Sequence, residues 1–387
     1  MNAYISYSAL DAALKTRDSE LKKILNQLSE YLGTIYTDLK PQELMVIMRD
    51  SENPLSMLCR QDVKVAANPK LFATLKTNHS SVLLDPTALY IIDLPEATTQ
   101  MIQNNYGVLC RSVSNPNLDF LLKGNITKTT SFAKTNSWKV FFDSVKRQYI
   151  EPVNTVIISD RYLFTDTEGV YKNGCWSFKS KRGLDNCLAI INNLLPERIT
   201  TPVSILICFD ATDFSTPGME KKEFHKIDKY YEVSEKHFEY LSNELYSGIK
   251  ALGKKYTINV EMLSLAPNDR TYYKTHNRRI ITNYGQLYAE QNLAAFVIDK
   301  STNKSSPVAS QNIDYNTLFA RGIYDDSDCP IISHVEKIND FLIIFSSPND
   351  GYRFFSRNGR LSDRIITGNT ILNNEYRRRK EQKSRKY

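Results

Sequence analysis

Val203-Ser204-Ile205-Leu206-Ile207-Cys208-Phe209, entered through Pro202, is a continuous apolar run, the pattern of a strand buried on both faces. An amphipathic stretch follows from Glu235 to Leu252, with Phe238, Leu241, Leu245, Ile249 and Leu252 on one stripe and Gly253 placed as a C-cap. A second strand, Ile258 to Leu265, comes next. Strand, long helix and strand imply a crossover connection, so this segment predicts parallel pairing under helical cover.

The alternation continues outward in both directions. Upstream, Asp185 to Leu195 reads as a helix with Leu184, Leu188, Ile191 and Leu195 on one stripe. Before it, Val156-Ile157-Ile158-Ser159-Asp160-Arg161-Tyr162-Leu163-Phe164 reads as a buried strand, entered through Pro152 from a helix at Trp138 to Tyr149. Downstream, after Pro267, a strand is expected from His276 to Thr282. Residues 137–300 are therefore predicted to form an α/β domain, a mixed sheet with flanking helices.

The flanks read differently. Residues 1–80 are expected to be a small helical unit, because Leu14, Leu21, Ile24, Leu25, Leu28, Leu32 and Ile35 recur at three-and-four spacing and Pro41 opens a second helix to Arg49. Residues 81–136 predict an α/β extension, with strands at Val82–Leu84, Leu89–Ile92 and Val108–Val113 and a helix at Glu96–Asn104. A polar surface connection runs from Ser114 to Asn136. Residues 301–372 predict a short β-rich C-terminal region, with Phe341–Phe345 and Tyr352–Phe355 as a hairpin and a strand at Arg364–Thr367. Residues 373–387 are a basic tail.

A chain of 387 residues exceeds one ordinary domain, and 41% hydrophobic with 24% charged residues excludes disordered and collagen-like classes. No run reaches the roughly 18 apolar residues of a membrane helix, and Met1 to Ala13 lacks the layout of a secretory signal. The cysteines, Cys59, Cys110, Cys175, Cys187, Cys208 and Cys329, include no Cys-x-x-Cys pair, which predicts free thiols in a reducing cytosol. The net charge of +7 is carried almost wholly by the tail, where Arg377, Arg378, Arg379, Lys380, Lys383, Arg385 and Lys386 face only Glu381. Such a tail attracts phosphates in a salt-sensitive way or serves as a solubilising end. No GxGxxG, GxxxxGK[ST], GxSxG or HExxH occurs, so no nucleotide cofactor and no metal is expected. Asp210, Asp213, Glu220 and Glu223 read as solvated loop acids.

Of the five histidines, His276 alone has a suggestive setting. With period two, His276 and Arg278 share a face of their strand, where an imidazole can attack phosphorus and a guanidinium can hold phosphoryl oxygens through paired hydrogen bonds. The bland reading is a surface histidine beside an ordinary strand. His79, His225, His237 and His334 are scattered and read as structural or exposed.

The order of strands and helices ending in this His-x-Arg strand resembles one half of a phospholipase D-like domain, whose signature is HxKxxxxD. His276, Arg278 and Asn283 are the matching residues, with Arg in place of Lys and Asn in place of the acid. A second stretch, Ser159, Arg161 and Asp166, has the same spacing with Ser in place of His. Followed by Gly183-Leu184-Asp185, it is also similar to the phospholipase D-like domain that closes some membrane-trafficking proteins and binds acidic headgroups without catalysis. The resemblance covers about Ser137 to Lys300. It implies a sheet between helices and, in active relatives, metal-independent phosphodiester cleavage through a phosphohistidine, with His276 as nucleophile, Arg278 as phosphate clamp and Asn283 as a positioning residue. Active domains pair two histidines, and some bacterial nucleases do so by dimerising. With one histidine present, the resemblance implies either a homodimer with a composite site or a binding-only descendant.

The resulting expectation is a bacterial, cytoplasmic hydrolase or binder of nucleic acid. A non-catalytic protein of the same fold, binding nucleic acid, acidic headgroups or a protein partner, is the other reading.

Overall fold

The computed structural model describes residues 2–16, 19, 21–23, 25, 34–59, 63–118, 125–130, 137–145, 152–160, 163–164, 167–172, 175–210, 227–265, 278–289, 293, 296–299, 304–307, 311–317 and 353–356. Two α/β sheets organise these residues.

The first sheet is built from β1 (Ala3–Ile5), β2 (Ile35–Thr37), β3 (Val65–Ala67), β4 (Leu89–Ile92) and β5 (Leu109–Ser112), all parallel, in the order β3-β2-β1-β4-β5. Its helices are α1 (Tyr7–Lys15), α2 (Pro41–Arg49), α3 (Pro54–Cys59), α4 (Pro69–Thr77) and α5 (Glu96–Tyr106). Alternate strand residues feed two cores. Ala3, Ile5 and Ile91 pack with Leu10 and Leu14 of α1, Leu44 of α2 and Leu55 of α3, while Tyr4, Tyr90 and Ile92 pack with Phe72 of α4 and Ile102 of α5. The unit is doubly wound, with the strand direction of travel switching between β1 and β4.

Residues 1–80 are therefore not a helical unit, because they supply β1, β2 and β3. Each of these strands is three residues long, too short for a period-two signal, and Ile35, counted in the helical stripe, lies in β2. Val82–Leu84, expected as a strand, lies in a 3₁₀ turn spanning His79–Leu84. The predicted boundary at residue 80 falls inside this sheet.

The second sheet has eight strands: β6 (Asn125–Thr130), β7 (Thr155–Ser159), β10 (Val203–Asp210), β11 (Ile258–Leu265), β12 (Arg279–Thr282), β13 (Gly285–Ala289), β16 (Gln311–Thr317) and β17 (Arg353–Ser356). Two hairpins stand apart from it, β8 (Thr167–Lys172) with β9 (Cys175–Lys181) and β14 (Phe296–Asp299) with β15 (Lys304–Pro307). The order is β17-β11-β10-β7-β12-β13-β16-β6. The central three, β11, β10 and β7, are parallel and the remaining pairs antiparallel, so the sheet is mixed as expected.

Three helices, α6 (Ser137–Val145), α7 (Arg182–Leu194) and α8 (Ile227–Ala251), bury one face of this sheet. Phe142 of α6, Ile190 and Leu194 of α7 and Leu241 and Leu245 of α8 meet Val156, Ile158, Ile205, Ile207, Met262 and Ile280. Gly253 follows α8 with φ +68°, in the left-handed region where glycine carries no Cβ penalty. The polar stretch 114–136, expected as a connection, contributes β6, and 301–372 is no separate region, since β16 and β17 join the large sheet. Phe341–Phe345, Arg364–Thr367 and residues 373–387 lie outside the described residues. No helix among the described residues is long and apolar enough to cross a membrane.

The two sheets meet at a polar seam. Asn154, just before β7, donates through Nδ2 to the carbonyls of Pro86 at 3.2 Å and Tyr106 at 3.1 Å. Tyr284 donates its hydroxyl to Ala88 O at 2.9 Å and accepts from Leu109 N at 2.8 Å. Thr200 N donates to Asn105 O at 2.8 Å. Gly107 caps α5 with φ +63°, and a Cβ there would meet Val153 O at 2.7 Å, so close backbone approach requires glycine.

Candidate functional site

In an open α/β sheet the loops that carry ligands leave the carboxyl ends of the parallel strands. For the large sheet this end is marked by Ser159 of β7, Asp210 of β10 and Leu265 of β11. Strand β12 runs the other way, so it starts here, with Arg279 directly opposite Ser159.

Because directly paired residues point to one face, register alone defines a row across the sheet: Ser159, Arg279, Tyr288 and Asp314 are successive partners on β7, β12, β13 and β16. Ser159 is buried, whereas Arg279, Tyr288 and Asp314 are half-buried. This is the face opposite the one that the helices cover through Ile158 and Ile280.

Arg279 is fixed from two sides. Its Nη1 donates to Gln286 Oε1 at 2.6 Å, and its guanidinium lies 5.3 Å from the centroid of the Tyr288 ring, a cation–π distance. Gln286 is buried, and its Nε2 has no hydrogen-bond partner among the described residues. A guanidinium beside an unspent buried amide donor is an arrangement suited to an oxyanion.

Asp160, one residue past Ser159, is fully buried and accepts from the backbone N–H of Leu293, while its own N–H donates to Cys208 O at 3.1 Å. Its carboxylate thus ties the end of β7 to the segment after β13. Among the described residues no three His, Cys, Asp or Glu side chains cluster as a metal site would require.

The sequence-predicted residues divide sharply. His276, Arg161, Asp166 and the basic tail, Arg377, Arg378, Arg379, Lys380, Lys383, Arg385 and Lys386, lie outside the described residues. Arg278 is half-buried at the start of β12, and its carbonyl accepts from Ala289 N at 3.1 Å. Ser159 sits at the same end of the sheet, opposite Arg279 on the neighbouring strand.

Asn283 is not at this end. It follows β12 at the amino edge of the parallel strands, about 16 Å along an extended strand from Arg278. It is 2% exposed, and its Oδ1 accepts from Asn154 N at 3.0 Å and Thr155 N at 3.1 Å. Its Nδ2 lies in donor contact with Asn154 Oδ1 at 2.7 Å, Pro86 O at 3.2 Å and Gly107 O at 3.3 Å. The residue expected to position a phosphate is a bolt in the seam between the sheets, because an antiparallel β12 carries the fifth position after Arg278 to the far edge.

Sequence reasoning passed over Arg279, Gln286, Tyr288 and Asp314. The usable signal was the alternation in Gly285-Gln286-Leu287-Tyr288-Ala289, which puts Gln286 and Tyr288 on one face.

The small sheet offers a second carboxyl edge at its β1/β4 switch point, but its polar groups are spent on one another. Ser6 Oγ accepts from Asp93 N at 3.1 Å, and Asp38 Oδ1 accepts from Tyr7 N at 2.6 Å at the start of α1. No protein-family model matches the chain, and no curated protein matches it.

Proposed function

We propose that the carboxyl edge of the eight-stranded sheet binds phosphodiesters of nucleic acid, as the resemblance to phospholipase D-like domains implies. The observation that carries this reading is Arg279, a half-buried guanidinium held between Tyr288 and Gln286 and directly opposite Ser159. A planar guanidinium matches two phosphoryl oxygens, and the unspent Gln286 Nε2 supplies a further donor. Arg278 stands at the start of the strand that carries Arg279, His276 precedes it by two residues in the sequence, and the basic tail adds sequence-independent affinity.

Binding without cleavage is the form that Asn283 favours. Its amide is committed to the seam, so the position where active relatives hold an acid contributes no group to this edge. Metal-independent hydrolysis is the stronger form of the same reading. In it His276 attacks phosphorus, the P–O bond to the leaving group breaks as that alkoxide takes a proton from water, and a second water then hydrolyses the phosphohistidine to free His276.

The test is incubation of the purified protein and its His276→Ala and Arg278→Ala variants with labelled single-stranded DNA, duplex DNA and RNA in EDTA, following retention and cleavage. Salt-sensitive retention weakened in both variants is the expected result. Cleavage that survives EDTA and vanishes in His276→Ala would establish the hydrolytic form, and absence of retention on every substrate would overturn the reading.

A further inference from the structure

The row across the large sheet changes chemistry from strand to strand. Arg279 on β12 is a cation, Tyr288 on β13 an aromatic ring and Asp314 on β16 an anion, and all three are half-buried. Directly paired side chains lie about 5 Å apart, so the cation and the anion stand about 10 Å apart with the ring between them. That spacing is comparable with the reach of one nucleotide from its phosphate to the far edge of its base.

The two ends suit different parts of such a ligand. The Arg279 guanidinium is held by Gln286 Oε1, and the Nε2 of the same amide, on a side chain 1% exposed, is a donor with no hydrogen-bond partner among the described residues. A phosphate set against Arg279 is within reach of both groups and relieves the cost of the unpaired amide. At the other end an ionised Asp314 only accepts, and it repels a second phosphate. The phosphate therefore lies toward β12 and the base toward β16. Tyr288, with the Arg279 guanidinium 5.3 Å from its ring centroid, stands where a base between the two would stack.

We propose, on the basis of the phosphodiester reading above, that this row takes one nucleotide of an unpaired strand and prefers guanine. A base can present its Watson–Crick edge to Asp314 only when that edge is not already paired, so a duplex does not fit. Guanine carries two parallel donors there, N1–H and the N2 amino group, which match the two oxygens of a carboxylate. Adenine and cytosine offer one amino group each, and thymine and uracil turn two carbonyls toward the acid. The basic tail supplies none of this discrimination, because attraction between charges and phosphates is independent of sequence.

Fluorescence anisotropy with the full chain tests this, at a salt concentration that weakens the tail's contribution. The probes are short all-thymine strands, the same strands with one central guanine or inosine, the guanine strand annealed to its complement, and the RNA counterparts in uracil. Inosine lacks the N2 amino group. The guanine strand is expected to bind about tenfold tighter than the all-thymine and annealed strands, with inosine between them. Tyr288→Leu should weaken the guanine and all-thymine strands alike by about tenfold, through lost stacking, and Tyr288→Phe should restore both. Asp314→Asn should collapse the ratio of guanine to thymine affinity toward one. A guanine preference in DNA or in RNA supports the inference and identifies the polymer. Circular dichroism confirms that each variant is folded. Binding without base preference, equal binding of the duplex, or a preference that Asp314→Asn leaves intact would overturn the inference while the phosphodiester reading stands. Absence of binding to every strand would overturn both.

Discussion

Asn283 and Asn154 grip each other across the junction of the two sheets, with Asn283 Nδ2 donating to Asn154 Oδ1 at 2.7 Å while Asn283 Oδ1 accepts from Asn154 N at 3.0 Å. Both side chains also reach the Pro86 carbonyl of the small sheet. This reciprocal pair satisfies backbone groups that neither sheet could satisfy alone, and buried polar groups left unpaired are costly. Asn283→Ala is expected to lower stability by about 3 kcal/mol in denaturant unfolding. Asn283→Asp, which supplies the acid of the motif the chain resembles, should cost a similar amount without creating cleavage activity, because a carboxylate has no N–H for these carbonyls. Nuclease activity appearing in that variant would contradict the placement of Asn283.

Tyr284 does parallel work one residue on. Tyr284→Phe keeps the ring but removes the donor to Ala88 O and the acceptor for Leu109 N, leaving two backbone groups unpaired. The expected cost is about 2 kcal/mol. Combined with Asn283→Ala it should be non-additive, since both substitutions open the same seam. Strict additivity in a double-mutant cycle would mean that the seam is not one cooperative unit.

Gly107→Ala should destabilise by about 2 kcal/mol, because the residue has φ +63° and the new Cβ would press on Val153 O at 2.7 Å. Gly253→Ala is the control. Its φ is also positive, at +68°, but open space surrounds it, so it should cost less. Equal melting temperatures for the two variants would refute the close approach at the seam.

Stability should fall in base. Burial pushes the phenols of Tyr4, Tyr90 and Tyr284 and the thiols of Cys187 and Cys208 well up, and the Cys110 thiol to about 12. The folded state keeps these groups protonated, while the unfolded chain releases protons from its cysteines near 9.0 and its tyrosines near 10.0. Their contribution is therefore complete below about pH 9 and is lost progressively above it. Denaturant midpoints measured across that range, with tyrosinate absorbance as a second signal, check this. Ionisation of Tyr4, Tyr90 and Tyr284 near pH 10 with the fold intact would contradict it.

The large sheet was legible in the sequence because its central strands are long and rich in apolar residues. Val203 to Phe209 and Ile258 to Leu265 announce themselves, and Glu235 to Leu252 has an unbroken stripe. The small sheet was hidden for the opposite reason. Its strands Ala3–Ile5, Ile35–Thr37 and Val65–Ala67 are each shorter than one helical turn of pattern, and their pairing is non-local. At the site, Ser159 and Arg278 were found by spacing, but spacing could not reveal strand direction. An antiparallel β12 sends Asn283 away from Arg278 and instead brings Arg279 opposite Ser159, a relationship set by register rather than by sequence distance.

Phosphodiester affinity is proposed to reside at the carboxyl edge of the large sheet and not merely in the basic tail. The most direct measurement is binding of labelled single-stranded DNA by a chain lacking residues 376–387, with and without Arg279→Gln, over a series of salt concentrations and with thermal melts confirming the fold. Salt-sensitive binding is expected to persist without the tail and to weaken about tenfold on substitution, the size expected for loss of one charge-assisted contact. Binding that disappears with the tail, or that Arg279→Gln leaves unchanged, would contradict it.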